Sequence, residues 1–469
     1  MRLQVKSCKS GDIAQLMIKE AHGAIRGVCC QKVVEMEAMV QNGVVDVLLA
    51  NEIIGADKTA RLAALAAQPY QASVFVVVDS TLGVEQLQAA AVDAGVVLGV
   101  LVEMDVGQKR CGVPTPEAAA LLAQEITKHS HLRFCGLQAY HGAAQHIRTW
   151  RQRAETVAAV VAKAAEAVQA FVAAGLMHKD GSLHSFQVPP GAFVPEGSAS
   201  HPCALQRAMV TGGGTGTFPL EAASGVFTEV QPGSYIFNDA DYARNGVVVG
   251  QLAQDVPGPA GKLADAAAAT VHSALAAVPP LHNSAILGRG HGPQGEQEWG
   301  SLWEHSLFIL ATVMSRNTVD GYAVLDCGLK ATSVDSGQPV LASGVASLRT
   351  ASSVTAPAST GGLHVGCGVE FGVTTDEHST LVVQRATTQV AAALGAEGAK
   401  PEEIFDAVLP PLGAKVLLVP GHCDPTVNLH DFLVPFSAPT SGAHDETQPL
   451  LPAAQVQDLW VVHARSSGY

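Results

Sequence analysis

Through the first half of the chain, short apolar runs alternate with stretches whose apolar positions recur every three or four residues. The runs read as strands at Gly27–Cys30, Val45–Ala50, Val74–Val78, Val97–Glu103 and Leu132–Ala139, and again at Met209–Thr211 and Phe227–Val230. Helical spacing covers Ile13–Glu20, Val33–Gln41, Asp57–Ala67, Leu82–Ala94, Pro116–Lys128 and the Ala-rich Gln152–Ala174. Strands separated by helices of about ten residues or more are the pattern of βαβ units in a parallel sheet. Each strand ends in a small, polar or charged residue, which predicts a closed (β/α)8 TIM-type barrel rather than an open doubly wound sheet.

After about Asp239 the pattern changes. Strand-like runs at Leu307–Met314, Gly321–Asp326, Thr380–Gln384, Val416–Val419 and Leu459–Ala464 follow one another without strong helices, predicting a mostly antiparallel β domain. The expected division is therefore residues 1–240 for the barrel and 241–469 for the second domain. Three segments rich in Ala, Gly, Pro and His (Met177–Ala208, Gly250–Gly300 and Ala386–Pro411) read as surface insertions, being longer than loops within compact domains.

Composition narrows the class. The 469 residues carry a formal net charge of −14 and no Lys/Arg cluster, which disfavours nucleic acid or an anionic membrane as partner. The most apolar run, Val96–Met104, is too short to span a bilayer and reads as a buried strand. No apolar segment of signal-peptide type follows Met1–Ser10. The 9 cysteines are irregularly spaced, with no C-x-x-C, as free thiols in a reducing, cytoplasmic setting would be.

Candidate chemistry falls at strand ends. Lys6 follows a short β-like run at the front of the first βα unit, where a barrel would form its active-site mouth. The run Thr211–Thr217 holds four glycines and three threonines after a strand, a composition suited to wrapping a phosphate. Gln231–Tyr235 offers a second turn with Gly233, Ser234 and Tyr235. Arg110 lies in the loop after the strand ending at Glu103. Tyr140, His141 and His146 close another strand, and either imidazole suits acid–base work near neutral pH. In extended chain, His422 and Asp424 face the same way, a half-site for Mn²⁺, Mg²⁺ or Zn²⁺, with Cys423 turned aside.

Together these segments resemble the D-threonine aldolases, within the alanine racemase-like (fold type III) enzymes that use pyridoxal phosphate. That family carries its Schiff-base lysine in R-P-H-V-K-[ST]-H-K, and Arg2–Lys9 reads R-L-Q-V-K-S-C-K. Further blocks match in order: Val28–Gln31 with Glu35–Ala38, Asn51-Glu52, Asp105–Gly112, Leu137–Tyr140, Gly212–Thr217, Gln231–Tyr235, Ala311–Arg316, Asp326–Lys330, Asp376–His378 and His422–Asp431. The resemblance implies Lys6 as the cofactor-bearing lysine and Arg110 beside the cofactor ring, near Tyr140. It implies Gly214, Thr215, Gly216 and Thr217, with Gly233, Ser234 and Tyr235, around the phosphate, and His422 and Asp424 as ligands of a divalent metal. Cleavage of a D-3-hydroxy amino acid to glycine and an aldehyde is then expected, with His146 or His141 taking the hydroxyl proton, in a homodimer. The same fold supports a D-serine dehydratase-like β-elimination, a subgroup that resembles H-x-C at the metal pair, where this chain has Asp424. A non-catalytic pyridoxal-phosphate-binding homologue is a further alternative. In the family a strand and a helix precede the lysine strand, whereas Lys6 stands near the start here. An open barrel wall with exposed apolar surface near Arg2–Lys6 is therefore expected.

Overall fold

A computed structural model of the chain describes residues 1–194, 201–248, 262, 266, 289–291, 297–299, 303, 305–342, 369–383, 398–437 and 455–465. Eight parallel strands lie side by side in chain order: β1 (Arg2–Gln4), β2 (Gly27–Cys30), β3 (Asp46–Leu49), β4 (Ser73–Val78), β5 (Leu98–Glu103), β6 (Leu132–Gln138), β7 (Met209–Gly212) and β8 (Glu229–Val230). The central strands are buried along their whole length, as expected of strands covered on both faces, which is why they read as unbroken apolar runs. The helices between them are α1 (Gly11–Glu20), α2 (Val33–Gln41), α3 (Ala56–Ala66), α4 (Thr81–Ala94), α5 (Pro116–Thr127), α6 (Trp150–Ala173) and α7 (Phe218–Ala223). Their starts are locally specified. The Ser80 hydroxyl accepts the Gly83 N–H at 3.3 Å to cap α4, and Thr115 caps α5 ahead of a proline at its first turn.

The seam between β1 and β8 is closed by one backbone bond, Gln4 N–H to Pro232 O at 3.1 Å. Below it the buried Arg2 guanidinium bridges Asp46 of β3 (2.5 Å) and Glu229 of β8 (3.0 Å). The open wall expected near Arg2–Lys6 is not there. Arg2, Leu3, Gln4 and Val5 are buried, and Leu3 and Val5 share an apolar core with Ile13 of α1 and with Val427, Val462 and Ala464 from the far end of the sequence.

The segment Met177–Ala208 is not a surface decoration. Leu183 and Leu205 enter the barrel core with Cys29, Leu48, Phe75, Leu101, Cys135 and Met209, and Arg133 on β6 donates to the carbonyls of Pro202 and Leu205. Its described residues, 177–194 and 201–208, therefore cover the end of the barrel where the strands begin. His201 within it is 1% exposed and accepts the Cys203 N–H on Nδ1 at 3.2 Å. Burial, and secondarily the Arg133 charge, pull its pKa from 6.5 down to about 4. The unfolded chain thus binds a proton that the folded chain refuses between these values, so stability falls as pH drops from about 6.5 to about 4 and levels off below. The total is roughly 3 kcal/mol. Urea unfolding at pH 7 and pH 5 should show about 2 kcal/mol of this loss, and His201→Gln should flatten it; an equal pH slope in the variant would exclude His201 as the cause.

Helix α6 corrects the sequence reading on another point, being long and apolar enough by length and composition to cross a membrane. Its buried positions, Trp150, Ala154, Val157, Val160, Ala164, Ala167 and Phe171, recur at helical spacing and form a stripe that packs against the barrel.

The second domain holds a six-stranded antiparallel sheet. Its members are β12 (Ile309–Asn317), β13 (Tyr322–Leu325), β14 (Val340–Leu341), β15 (Val369–Thr374), β16 (Ser379–Val383) and β17 (Lys415–Val419), after a small sheet of β9 (Val247–Val248), β10 (Arg289–His291) and β11 (Gln297–Trp299). The six-stranded order is β14-β17-β12-β13-β16-β15. The proposed insertion Ala386–Pro411 contains a helix, α8 (Pro401–Val408), whose Ile404 is buried; residues 386–397 lie outside the described residues. Most of Gly250–Gly300 also lies outside them. Past β17 the chain turns through Pro420–His422 into the short helix α9 (Cys423–Val427), which reaches the mouth of the barrel.

Candidate active site

A cavity of ≈ 370 Å³ opens where the barrel strands end, the face on which TIM-type barrels carry their sites. Residues just past β1, β2, β3, β6, β7 and β8 line it, and α9 supplies one wall through His422. Of the residues singled out from sequence, Lys6, Arg110, Tyr140, His146, Gly214, Thr215, Gly233, Ser234 and His422 line this cavity.

Lys6 sits on a one-turn helix directly after β1. Its Nζ lies 2.8 Å from Asp424 Oδ2, and the charge of that carboxylate holds the ammonium well above the ordinary lysine value. Burial would raise Asp424, yet Lys6 and His422 together hold it far below the usual carboxylate range. His422 Nε2 stands 3.8 Å from Asp424 Oδ2, while its Nδ1 meets Asp335 Oδ2 at 2.8 Å and Ser336 Oγ at 3.2 Å. Burial opposes a proton on His422, but the two carboxylates prevail and raise it to about 9. A site that draws a proton this strongly draws a divalent cation by the same charges, and one imidazole nitrogen beside carboxylate oxygens is a donor set for Mn²⁺, Mg²⁺ or Zn²⁺. The turn carrying the pair is fixed to the barrel by Cys423 N–H to Asp239 Oδ2 (2.8 Å) and Ala240 N–H to Pro420 O (2.9 Å).

The two loops read as a phosphate cradle are joined by one hydroxyl. Thr215 Oγ1 accepts the N–H of Gly233 (3.3 Å) and of Tyr235 (3.1 Å), which leaves its own proton free to donate into the cavity. A Cβ on Gly233 would lie 2.4 Å from the Gln4 carbonyl, so only glycine lets this turn approach β1. The Tyr235 hydroxyl is buried without a hydrogen-bond partner. Tyr235 does not line the cavity, its ring packing on Trp303 at 5.2 Å between centroids, so the cradle that suits the phosphate of pyridoxal phosphate, with Lys6 as its attachment point, is the free Thr215 hydroxyl with the Gly233–Ser234 turn.

Two further members of the cradle, Thr217 and Gly216, are also corrected. Thr217 is fully buried, its hydroxyl held between Gln145 Nε2 (2.8 Å) and Glu221 Oε1 (2.8 Å), and it does not line the cavity. The Gly216 N–H goes to Gln145 Oε1 at 2.9 Å, and a Cβ there would sit 2.3 Å from the Gln145 carbonyl. Gly216 therefore allows packing on Gln145 rather than approach to a phosphate. The two histidines also separate: His146 faces the cavity and His141 does not, its Nδ1 accepting the Ala144 N–H at 3.2 Å. His146 Nδ1 bonds Asp241 Oδ2 at 2.6 Å, and Oδ1 of that carboxylate also holds Arg148 (2.5 Å) and Arg244 (2.6 Å). Arg110 lies over the Tyr140 ring, 5.6 Å from its centroid, with Nη2 3.7 Å from Glu103.

Sequence reasoning missed the amides. Gln4, Gln31, Gln108, Gln138 and Gln231 all line the cavity, and Gln231 Nε2 donates to Gln138 Oε1 at 2.8 Å. They provide polarity without charge; their signal was their position at the carboxyl ends of barrel strands or in the loops beyond. Tyr242 and the orienting Asp241 and Asp335 were missed too, because nothing in the chain near them marks them.

Residues 1–191 match the family described as the alanine racemase N-terminal domain, and residues 306–435 the putative serine dehydratase domain. The chain is 32% identical over 464 residues to a 3-hydroxy-D-aspartate aldolase of Paracoccus denitrificans, covering 99% of this chain and 84% of the relative. It is 31% identical to a D-threonine aldolase of an Arthrobacter species, covering 99% and 85%. The crystal structure of D-threonine aldolase from Filomicrobium marinum superposes with a TM-score of 0.66 at 31% identity, covering 99% of this chain and 88% of that one. The chain thus belongs to the family of the D-threonine and 3-hydroxy-D-aspartate aldolases, built on the alanine racemase-like barrel with a β domain.

Proposed function

We infer that this protein is a pyridoxal-phosphate- and divalent-metal-dependent aldolase that cleaves D-3-hydroxy amino acids to glycine and an aldehyde. The observation that carries the reading is one wall of one cavity: Lys6 Nζ 2.8 Å from Asp424, with His422 on the same carboxylate, facing the Thr215–Gly233 cradle. Breaking Cα–Cβ leaves an electron pair on Cα, and pyridoxal phosphate, when bound, supplies the electron sink for it. Lys6 would attach the cofactor, Thr215, Gly233 and Ser234 would hold its phosphate, and Arg110 would place a fixed positive charge at the ring's side of the cavity. His422 and Asp424 would hold the cation. His146 is the base for the β-hydroxyl: Asp241 fixes the proton on Nδ1, which leaves Nε2 free to accept another.

His146→Gln is expected to lower kcat by roughly 10²–10⁴-fold while leaving Lys6 loaded with cofactor. An unchanged kcat would remove His146 from proton transfer. A second reading, β-elimination on the same substrates, draws support from the match of residues 306–435 to the serine dehydratase domain. Asp424 in place of a thiolate ligand favours the aldolase, since Cys423 Sγ is buried against its neighbour's carboxylate. Incubation with D- and L-threonine tests the proposal: glycine should form from the D isomer alone, and glycine from the L isomer would contradict it. The eight described cysteines, all free thiols, support a reducing, cytoplasmic setting.

A further inference from the structure

Beside the cavity, but not lining it, the ends of three consecutive barrel strands bring carboxylates and a thiol together. Glu52 lies in the loop after β3, Asp79 directly follows β4, Glu103 ends β5, and Cys111 is in the loop beyond. One donor atom from each of Glu52, Asp79 and Cys111 lies within 4.8 Å of the other two. We propose that Glu52, Asp79 and Cys111 form a second cation site, separate from His422 and Asp424, that takes a thiophilic divalent ion of the Zn²⁺ type.

An independent observation points to a ligand. Glu103 is 3% exposed, its carboxyl lies within hydrogen-bonding reach of Glu52, and its Oε2 has no partner. Both oxygens of Glu52 are likewise buried, and the groups within reach of them are the Glu103 carboxyl and the Cys111 thiol, neither a cation. Three carboxylates and a thiol thus meet with Arg110, 3.7 Å from Glu103 Oε1, as the neighbouring cation. Unpaired carboxylates at such depth are costly, and a divalent ion satisfies several at once. Two carboxylate oxygens plus a thiolate select a borderline-soft ion over Mg²⁺, with water completing the coordination and Glu103 standing beside the set rather than in it. The loop is already shaped for this: Gly112 N–H donates to Asp79 Oδ2 at 3.1 Å, holding Cys111 against the end of β4. A bound ion would cross-link three strand ends and fix the loop that carries Arg110.

The test uses Co²⁺ as a spectroscopic stand-in, added to the purified holoprotein, with the metal-free spectrum subtracted. A cobalt–thiolate charge-transfer band is expected in the wild type and in His422→Ala, lost in Cys111→Ser, and kept in Cys423→Ser. Should Cys111→Ser fail to fold, Asp79→Asn keeps the thiol and should weaken Co²⁺ binding by roughly 10-fold or more. Zinc per chain should fall by one equivalent in either variant. A wild type without the band, or a band that survives Cys111→Ser, overturns the proposal.

Discussion

Lys6→Ala is expected to leave no pyridoxyl group on the chain after borohydride reduction and to reduce turnover to background. In the wild type, mass spectrometry should place that group on Lys6. The physical ground is position. Lys6 lines the cavity with its side chain partly open, whereas Lys9, three residues on, is buried with its Nζ 2.6 Å from Glu35. A lysine must be neutral to attack a carbonyl, and Asp424 favours the ammonium, so Lys6 is a cation in waiting until a carbonyl carbon takes its nitrogen. Lys6→Arg separates chemistry from folding: it keeps a charge opposite Asp424 but cannot bear the cofactor. It should fold as the wild type does and match Lys6→Ala in activity. Reductive labelling of Lys9, or of no lysine in the wild type, would refute the assignment.

Asp424→Ala is expected to behave differently: cofactor bound, turnover lost. Without the carboxylate the Lys6 ammonium loses the charge that stabilises it, so Lys6 becomes easier to deprotonate and cofactor attachment should extend to lower pH. The cation, however, loses one of its two nearest protein donors, and the loss of affinity should exceed the roughly 10–100-fold typical when only an outer hydrogen-bond partner of a metal ligand is removed. His422→Ala should share the loss of turnover without the shift in loading pH, since His422 touches Asp424 and not Lys6. A chelator added to the wild type should mimic it. Turnover that survives chelation and Asp424→Ala would take the metal out of the mechanism and leave the proton to His146.

The βα rhythm was legible because a buried parallel strand is an unbroken apolar run and a barrel helix a periodic stripe. What local pattern does not record is where a segment goes. Met177–Ala208 reads as a surface insertion rich in Ala, Gly, Pro and His, yet Leu205, with the partly buried Leu183 against it, closes the barrel floor. The same limit applies at the site. Lys6, His422 and Asp424 were legible as residue types at strand ends, but the 2.8 Å contact between Lys6 and Asp424 joins positions at opposite ends of the chain. Thr217 shares the composition of Thr215, and only the packing of Gln145 and Glu221 turns its hydroxyl inward. His141 and His146 are one short turn apart, and that turn sends them in different directions. The orienting Asp241 lies 95 residues from His146, beyond the reach of any spacing rule.

The most direct test is product analysis with purified protein, pyridoxal phosphate, Mn²⁺ and D-threonine. The account predicts glycine and acetaldehyde in equal amounts, and neither when a chelator is present. Formation of 2-oxobutyrate in place of glycine would contradict it and establish β-elimination instead.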